Sequence, residues 1–169
     1  MITLDTQGFS ILTASGVELF RHHWPDEGAP AAEALADAFG ILPAVTHDEG
    51  DGSHIAPADF YSWEGVRFRN TTELEKPRDG YSLSTALDVT TPSLGGVRIE
   101  APGGIAVGNT RDEALAARAE PDEIIAPETL LTYPGAPIAE GSDKARWGID
   151  LMFDGQPTVQ SIVIPASRL

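Results

Sequence analysis

The sequence predicts an α+β fold of two tandem similar units, each with a helix packed on an antiparallel β-sheet. The pattern of glycine and apolar residues in 8–20 recurs in the same order at 96–108. Short alternating segments bounded by glycine and other turn formers are typical of antiparallel strands. The chain is also short enough for one shared hydrophobic core. We therefore expect residues 1–169 to form a single compact body, with the units at 8–92 and 96–169.

Two further sequence similarities between the units support a duplication. The tetrapeptide Glu-Ala-Leu-Ala occurs at 33–36 and again at 113–116, and Trp63 has a counterpart in Trp147. A function rarely needs the same aromatic residue twice, so the paired tryptophans favour a packing role. Each unit is predicted as strand, strand, helix, loop, strand, strand.

The first unit begins with a predicted β-hairpin, because apolar and polar residues alternate through 9–20 around a glycine turn. Residues 21–29 have no equivalent in the second unit and are interpreted as an insertion. A helix is predicted over 30–39, since Pro30 suits a first helical position and Gly40 suits a C-terminal stop.

The second helix has a clearer start, because Thr110 and Glu113 have the spacing of a capping box. It is predicted to run to about Ala119 and to end before Pro121. Later segments alternate like strands, and the longer polar segments are predicted loops. The predicted strands are 61–69, 82–89, 146–153 and 158–165, the predicted loops are 41–59 and 120–143, and a hairpin turn is predicted at 154–157.

The chain is acidic, with 26 Asp and Glu against 11 Lys and Arg and a formal net charge of −15. Such a surface repels phosphate backbones and anionic headgroups. Nucleic acid is therefore not an expected partner, and a protein partner is. Because the sequence has no cysteine, disulfides, thiolate catalysis and cysteine metal sites are excluded.

The longest apolar stretches are far shorter than the roughly 20 residues that span a bilayer, so no transmembrane segment is expected. Met1–Asp5 lacks the features of a secretory signal. Two interpretations stay open: a cytoplasmic protein, or an exported one whose signal is not part of this sequence.

The segment 104–115 carries the pattern G-I-x-V-G-x-T-x-x-E. It resembles small repeat domains of the β-lactamase-inhibitory-protein type and the related outer-membrane lipoprotein fold. With 61–65 and 153–155, the chain is still more similar to uncharacterised actinobacterial envelope lipoproteins. The resemblance implies a capped helix on an antiparallel sheet and a location outside the cytoplasm. The inhibitor's cysteines are missing and 25–27 is an acidic addition, so no inhibitory residue is carried over.

A cluster of carboxylates and imidazoles at 47–54 is the first candidate for chemistry. Its metal-ligand candidates are His47, Asp48, Asp51 and His54. Carboxylate oxygens suit calcium, and His with Asp suits zinc. However, Gly50 breaks the order of a calcium loop, and an exposed acidic loop explains the cluster equally well. We therefore expect no metal and no cofactor.

The second candidate is His22-His23-Trp24, in the segment that breaks the repeat. Tryptophan is enriched at interface hot spots, so Trp24 is a candidate partner anchor. The alternative, that it folds back over the core, is favoured. Tyr61 could extend an aromatic surface for a sugar or peptide.

No nucleophile elbow or phosphate-binding glycine loop is present, so no catalytic residue is assigned. The favoured function is a non-enzymatic extracytoplasmic binding or protein-interaction domain. Two alternatives remain: a metal-assisted hydrolase using the His47–His54 loop, and a cytoplasmic acidic regulatory or immunity protein that masks a basic partner. The two predicted units differ from each other in sequence length and composition at 21–29, 41–59 and 120–143. Function is therefore expected in these segments.

Overall fold

The computed structural model describes residues 1–51, 56–72, 84–121, 129–137 and 146–168. Within these ranges the protein is mixed, with few helices and two largely antiparallel sheets. The α+β expectation is confirmed at this level. Neither described helix is long and apolar enough to cross a membrane.

The strands of the described residues all lie in these two sheets. In chain order they are β1 (Ile2–Asp5), β2 (Gly8–Leu12), β3 (Glu18–His23), β4 (Ala44–Asp48), β5 (Ala58–Trp63), β6 (Val66–Thr71), β7 (Thr85–Val89), β8 (Ser93–Leu94), β9 (Val97–Glu100), β10 (Glu120–Pro121), β11 (Leu130–Pro137), β12 (Arg146–Met152) and β13 (Ser161–Arg168). The helices are α1 (Ala29–Phe39) and α2 (Arg111–Ala116), and a short 3-10 turn occupies Pro102–Gly104.

The smaller sheet has five strands in the order β3-β2-β1-β9-β8, and only its β1–β9 pair is parallel. The larger sheet has eight strands in the order β10-β11-β12-β13-β7-β6-β5-β4. Each half of the chain supplies four of these strands, which meet where β7 pairs with β13. The smaller sheet is unequal, because the first half supplies three strands and the second half two.

Both helices begin and end close to where local sequence places them. Pro30 lies in the first turn of α1, and Gly40 closes it in the left-handed conformation with φ 66°. The Thr110 hydroxyl accepts a hydrogen bond from the Glu113 amide, and the Glu113 carboxylate accepts one from the Thr110 amide, which confirms the capping box. However, α2 ends at Ala116, three residues before the predicted Ala119.

Several predicted boundaries were wrong. The predicted strand 61–69 is a hairpin, since Glu64 and Gly65 turn the chain between β5 and β6. The loop predicted at 41–59 contains β4 and the start of β5. Residues 21–23 belong to β3 and are not part of an insertion.

The second unit lacks the predicted second strand of its hairpin. Where the first unit continues into β3, the chain instead makes the 3-10 turn, and an isolated bridge joins Ala101 to Ile105. Gly103 and Gly104 both have positive φ values, which favour a turn over an extended strand.

The two sheets share one core. The Phe9 ring meets Phe68 edge-on at 6.3 Å, joining the small sheet to the large one. The Thr85 amide donates to the Trp24 carbonyl at 3.1 Å, so β7 is also tied to the chain after β3. Helix α1 buries Leu35 and Phe39 against this core. This packing fixes the position of the segment that connects α1 to β4.

Candidate functional site

Strand β4 lies at one edge of the eight-stranded sheet, and β10 lies at the other edge of its described part. It pairs with β5 in unbroken register from Ala44 opposite Ser62 to Asp48 opposite Ala58. All five β4 residues are exposed, so little covers either face of the strand. The outer side of an edge strand presents N–H and C=O groups that its own sheet does not use. Strand β4 therefore offers a regular backbone ladder to another chain.

The beginning of this edge is apolar. Leu42 is 88% exposed, Val45 57% and Ile41 45%, which places three of the large exposed apolar side chains within five residues. Exposed apolar side chains scattered singly are ordinary on protein surfaces, whereas grouped ones indicate a contact surface.

Trp63 fixes the position of this apolar segment. Its indole Nε1 donates to the Ile41 carbonyl at 2.8 Å, and its ring meets Phe39 edge-on at 5.4 Å. Gly40 ends α1 just before, with its amide donating to the Ala36 carbonyl at 2.9 Å. The exposed side chains thus extend from a backbone that the core holds in place.

The far end of the edge is acidic. His47 Nδ1 lies 2.7 Å from Asp59 Oδ1 across the β4–β5 pair, and its Nε2 lies 3.7 Å from Glu49. Asp48 accepts the Gly50 amide at 2.9 Å, which turns the chain away from the strand. The hydrogen bond to Asp59, with smaller contributions from the Glu49 and Asp59 charges, raises the pKa of His47.

The sequence around this edge is uniformly acidic. Between residues 22 and 66 there are nine Asp and Glu and no Lys or Arg. The strongest charge asymmetry of the chain thus coincides with α1, β4 and β5. Segment 41–59 is among those where function was expected from the sequence, but the apolar residues at 41, 42 and 45 were not among the predicted site residues. Their signal is an apolar group next to an unbroken acidic segment.

The four residues predicted to bind a ligand or partner are not assembled into one exposed site. Trp24 is 1% exposed and donates from Nε1 to the Asp5 carbonyl at 3.2 Å. His22 is buried beside it, with the ring centroids 6.1 Å apart. His23 is exposed, and Tyr61 is partly buried against Phe68. The favoured alternative for Trp24, folding over the core, is confirmed.

The hydrogen bonds of His22 determine its tautomer. The Thr85 hydroxyl has one hydrogen and donates it to the Trp24 carbonyl at 2.8 Å. His22 Nε2, 2.8 Å from the same hydroxyl oxygen, is therefore the donor in that contact. Burial lowers the pKa of His22 to about 4, so the ring is neutral at physiological pH.

The predicted metal-ligand candidates are separated by other contacts. His47 is engaged by Asp59, and Asp48 by the Gly50 amide. Asp51 is exposed, and His54 lies outside the described residues. Within the described ranges, no three His, Asp or Glu side chains are grouped closely enough to hold a metal ion.

A second polar feature, which was not predicted from the sequence, lies on the face of the large sheet opposite the buried Phe68. Arg67 lies opposite Asp88, with Nε 3.7 Å from Oδ2, at an open groove of about 360 Å³. Burial raises the pKa of Asp88, and it raises that of Asp150, on β12, to about 6. Arg67 also lies over the Phe60 ring at 4.5 Å. Alternating polar positions in these strands were the available signal, but the strand order was needed to align them.

Comparison of the chain with protein-family models, curated proteins and solved structures finds no match.

Proposed function

We propose that this chain is a non-enzymatic binding domain that takes up an extended segment of another protein along β4. The observation that carries the proposal is the exposed edge itself, with five uncovered residues in unbroken register and an apolar group at its start. Addition of a strand to a sheet edge gives affinity through main-chain hydrogen bonds and specificity through alternate side chains.

The edge differs from a strand shielded against such pairing. Sheets commonly protect their edges with lysine, proline within the strand, bulges or covering segments. Strand β4 has no lysine or proline between Ala44 and Asp48, and its register with β5 is unbroken. Its only charged residues lie at the acidic end, which leaves the first half open to apolar contact.

We further propose a location outside the cytoplasm and an origin by duplication. The first is supported by the resemblance to envelope lipoproteins. The second is supported by the equal contribution of four strands from each half to the large sheet, while the unequal small sheet argues for divergence. Fractionation of source cells, with antibody detection of the endogenous protein, tests the location. An exclusively cytoplasmic signal would contradict it.

A cytoplasmic acidic regulatory protein is the second candidate, and the absence of Lys and Arg from 22–66 favours it. Both candidates are binding proteins, and they differ in the compartment where they meet the partner. The same fractionation therefore separates them.

The proposed binding role of β4 is tested by capture of proteins from an extract of the source organism on the immobilised chain. The binding variant is Leu42→Ser with Val45→Thr, and the matched control is Val17→Thr with Leu19→Ser, which changes similarly exposed residues at the β2–β3 hairpin. We expect a specific protein to be retained by the wild type and the control and lost by the β4 variant. Equal retention by all three would exclude β4 as the binding site.

A further inference from the structure

The edge of β4 has two chemically different halves, and they define the partner that fits it. Val45, with Leu42 two residues before the strand, makes the first half apolar, while Asp48, with Glu49 directly after the strand, makes the second half acidic. Successive strand residues are about 3.3 Å apart, so Val45 and Asp48 are separated by roughly 10 Å. This is about one Debye length at physiological salt, so a partner cation must lie near the acidic end to gain from it.

A second copy of this chain is a poor occupant of the edge. Pairing two β4 strands around Thr46 would put Leu42 opposite Gly50 of the other copy and Pro43 opposite Glu49. Pairing around Val45 would put Leu42 opposite Asp48 instead. In either register, Leu42 of one copy meets the polar or acidic half of the other, and both copies carry a net charge of −15.

An antiparallel partner of a different sequence resolves this mismatch. We propose, resting on the proposed function, that β4 takes a strand with Lys or Arg in its amino-terminal half and apolar β-branched residues in its carboxy-terminal half. The antiparallel direction follows from the larger sheet, whose described pairs are all antiparallel, and from the slightly greater stability of antiparallel ladders. Its basic residues then lie beside Asp48 and Glu49, and its apolar residues beside Val45 and Leu42.

The two faces of β4 indicate which residues of the partner strand determine specificity. Val45 and His47 share the face that also carries Tyr61 and Asp59, because Val45 lies opposite Tyr61 and His47 opposite Asp59. A partner residue beside Val45 contacts the Tyr61 side of the sheet. A partner cation two positions away on the same face approaches Asp59 and Glu49, the carboxylates that already engage His47. The partner strand therefore alternates, with its specificity residues on this face.

The test uses the purified chain and five fluorescent synthetic peptides of about ten residues, a length matched to the edge at about 3.3 Å per residue. The first has the proposed order of basic then apolar residues. The second has the reversed order, and the third replaces the basic residues with glutamate. The fourth and fifth have the sequence of the first with every other amide N-methylated, one peptide for each of the two alternating sets. Binding is measured by fluorescence anisotropy at low and physiological salt.

We expect the first peptide to bind at least about tenfold more tightly than the reversed and glutamate peptides, a difference typical of a few side-chain contacts. Added salt should weaken binding of the first peptide. N-methylation of the amides that face β4 should abolish binding, whereas N-methylation of the alternate amides, which face away from β4, should preserve it. Leu42→Ser with Val45→Thr should abolish binding, Asp48→Asn with Glu49→Gln should weaken it and remove the salt effect, and Val17→Thr with Leu19→Ser should leave it unchanged.

The failure of this inference is distinguishable from that of the proposed function. Equal binding of forward and reversed peptides, both lost in the β4 variant, overturns the proposed direction and leaves the β4 site standing. Absence of binding by every peptide overturns the inference, while edge-dependent capture from the extract would still support the function. Peptide binding that the β4 variant retains overturns both.

Discussion

Strands β3 and β4 lie on either side of α1 in the chain, and each ends its sheet in the described part of the protein. Strand β3 has a register irregularity at its start, and its Arg21 bonds Asp5 of β1 at 2.7 Å and Ser10 of β2 at 3.1 Å. Its end runs into the buried Trp24. Strand β4 has an unbroken register, and all five of its residues are exposed.

The two edges of this molecule therefore differ in how readily they can pair with a strand of another chain. Irregular register and charged side chains discourage edge-to-edge pairing, and β3 has both, with Glu18 and Arg21 as its charged residues. Strand β4 keeps its charges to one end and lacks a bulge. The difference is what supports β4, and not β3, as a place for a partner strand.

The largest expected effect follows from removing the anchor of β3. Trp24→Ala deletes a buried indole that packs 5.9 Å from Phe9 and bonds the Asp5 carbonyl. We expect the free energy of unfolding to fall by about 3–5 kcal/mol in a urea titration. Val17→Ala, at the exposed start of the same hairpin, should change it by less than about 0.5 kcal/mol. A loss below about 1 kcal/mol for Trp24→Ala would contradict the anchoring role.

The next effect concerns pH, because the histidines of the two edges are shifted in opposite directions. The folded pKa of His22 is about 4, below the roughly 6.5 of an unfolded histidine, so the unfolded chain binds the extra proton between these values. The free energy of unfolding should therefore fall, by on the order of 3 kcal/mol from this group, as pH decreases from about 6.5 to 4. His47, whose pKa is raised, should instead contribute stability below its unfolded pKa that is lost as pH rises through the folded value.

Asp150 opposes the His22 effect and must be controlled. Its folded pKa of about 6 is above the unfolded value, so the folded chain gains a proton first and is stabilised as pH falls through 6. We expect urea titrations from pH 7 to 4 to show a steeper loss for Asp150→Asn than for the wild type. Adding His22→Gln should flatten that loss. Parallel profiles for the single and double variants would show that His22 does not titrate as proposed.

A smaller effect is expected where the core holds the start of β4. Trp63→Phe keeps an aromatic ring against Phe39 and removes the hydrogen bond to the Ile41 carbonyl. We expect a loss of about 1 kcal/mol in unfolding free energy and weaker binding of the basic-to-apolar peptide. Tyr133→Phe is the control, because it removes a 2.9 Å bond to the Pro102 carbonyl elsewhere in the fold. Equal loss of peptide binding in both variants would show a general effect on stability.

The smallest stability effect is expected at the edge itself. Val45→Lys places a positive gatekeeper in an exposed strand, a device that natural edges use. The free energy of unfolding should stay within about 0.5 kcal/mol of the wild type, while capture of the partner should be lost. Leu19→Lys, on β3, should leave both unchanged. A large fall in stability for Val45→Lys would show that Val45 contributes to the core.

Local sequence predicted the helices better than the strands. The ends of α1 depend on Pro30 and Gly40, and the start of α2 on a hydrogen-bond exchange between Thr110 and Glu113, all within a few residues. Strand β4 was predicted as loop, because its residues are exposed on both faces and show no apolar alternation. Its partner β5 begins ten residues after β4 ends, and that pairing carries no short-range signal.

The candidate site was predicted by region and not by residue. Disagreement between the two halves pointed to 41–59, and the structure places the exposed edge there. The same argument pointed to His22 and Trp24, which lie in the core. The alternation of apolar and polar residues does not show which face of β3 is buried, because that depends on how the eight-stranded sheet packs against it.

The sequence by itself determined the acidic surface, the absence of thiol chemistry, the helix caps and the predominance of antiparallel strands. These follow from composition and from interactions between near neighbours in the chain. Only the tertiary structure decided that β7 joins β13, that His22 is neutral inside the core, and that β4 is left at the edge. Strand order depends on contacts between residues far apart in the chain, whose free energies local residue preferences do not encode. The feature that carries the proposed function is therefore visible only once the sheet is assembled.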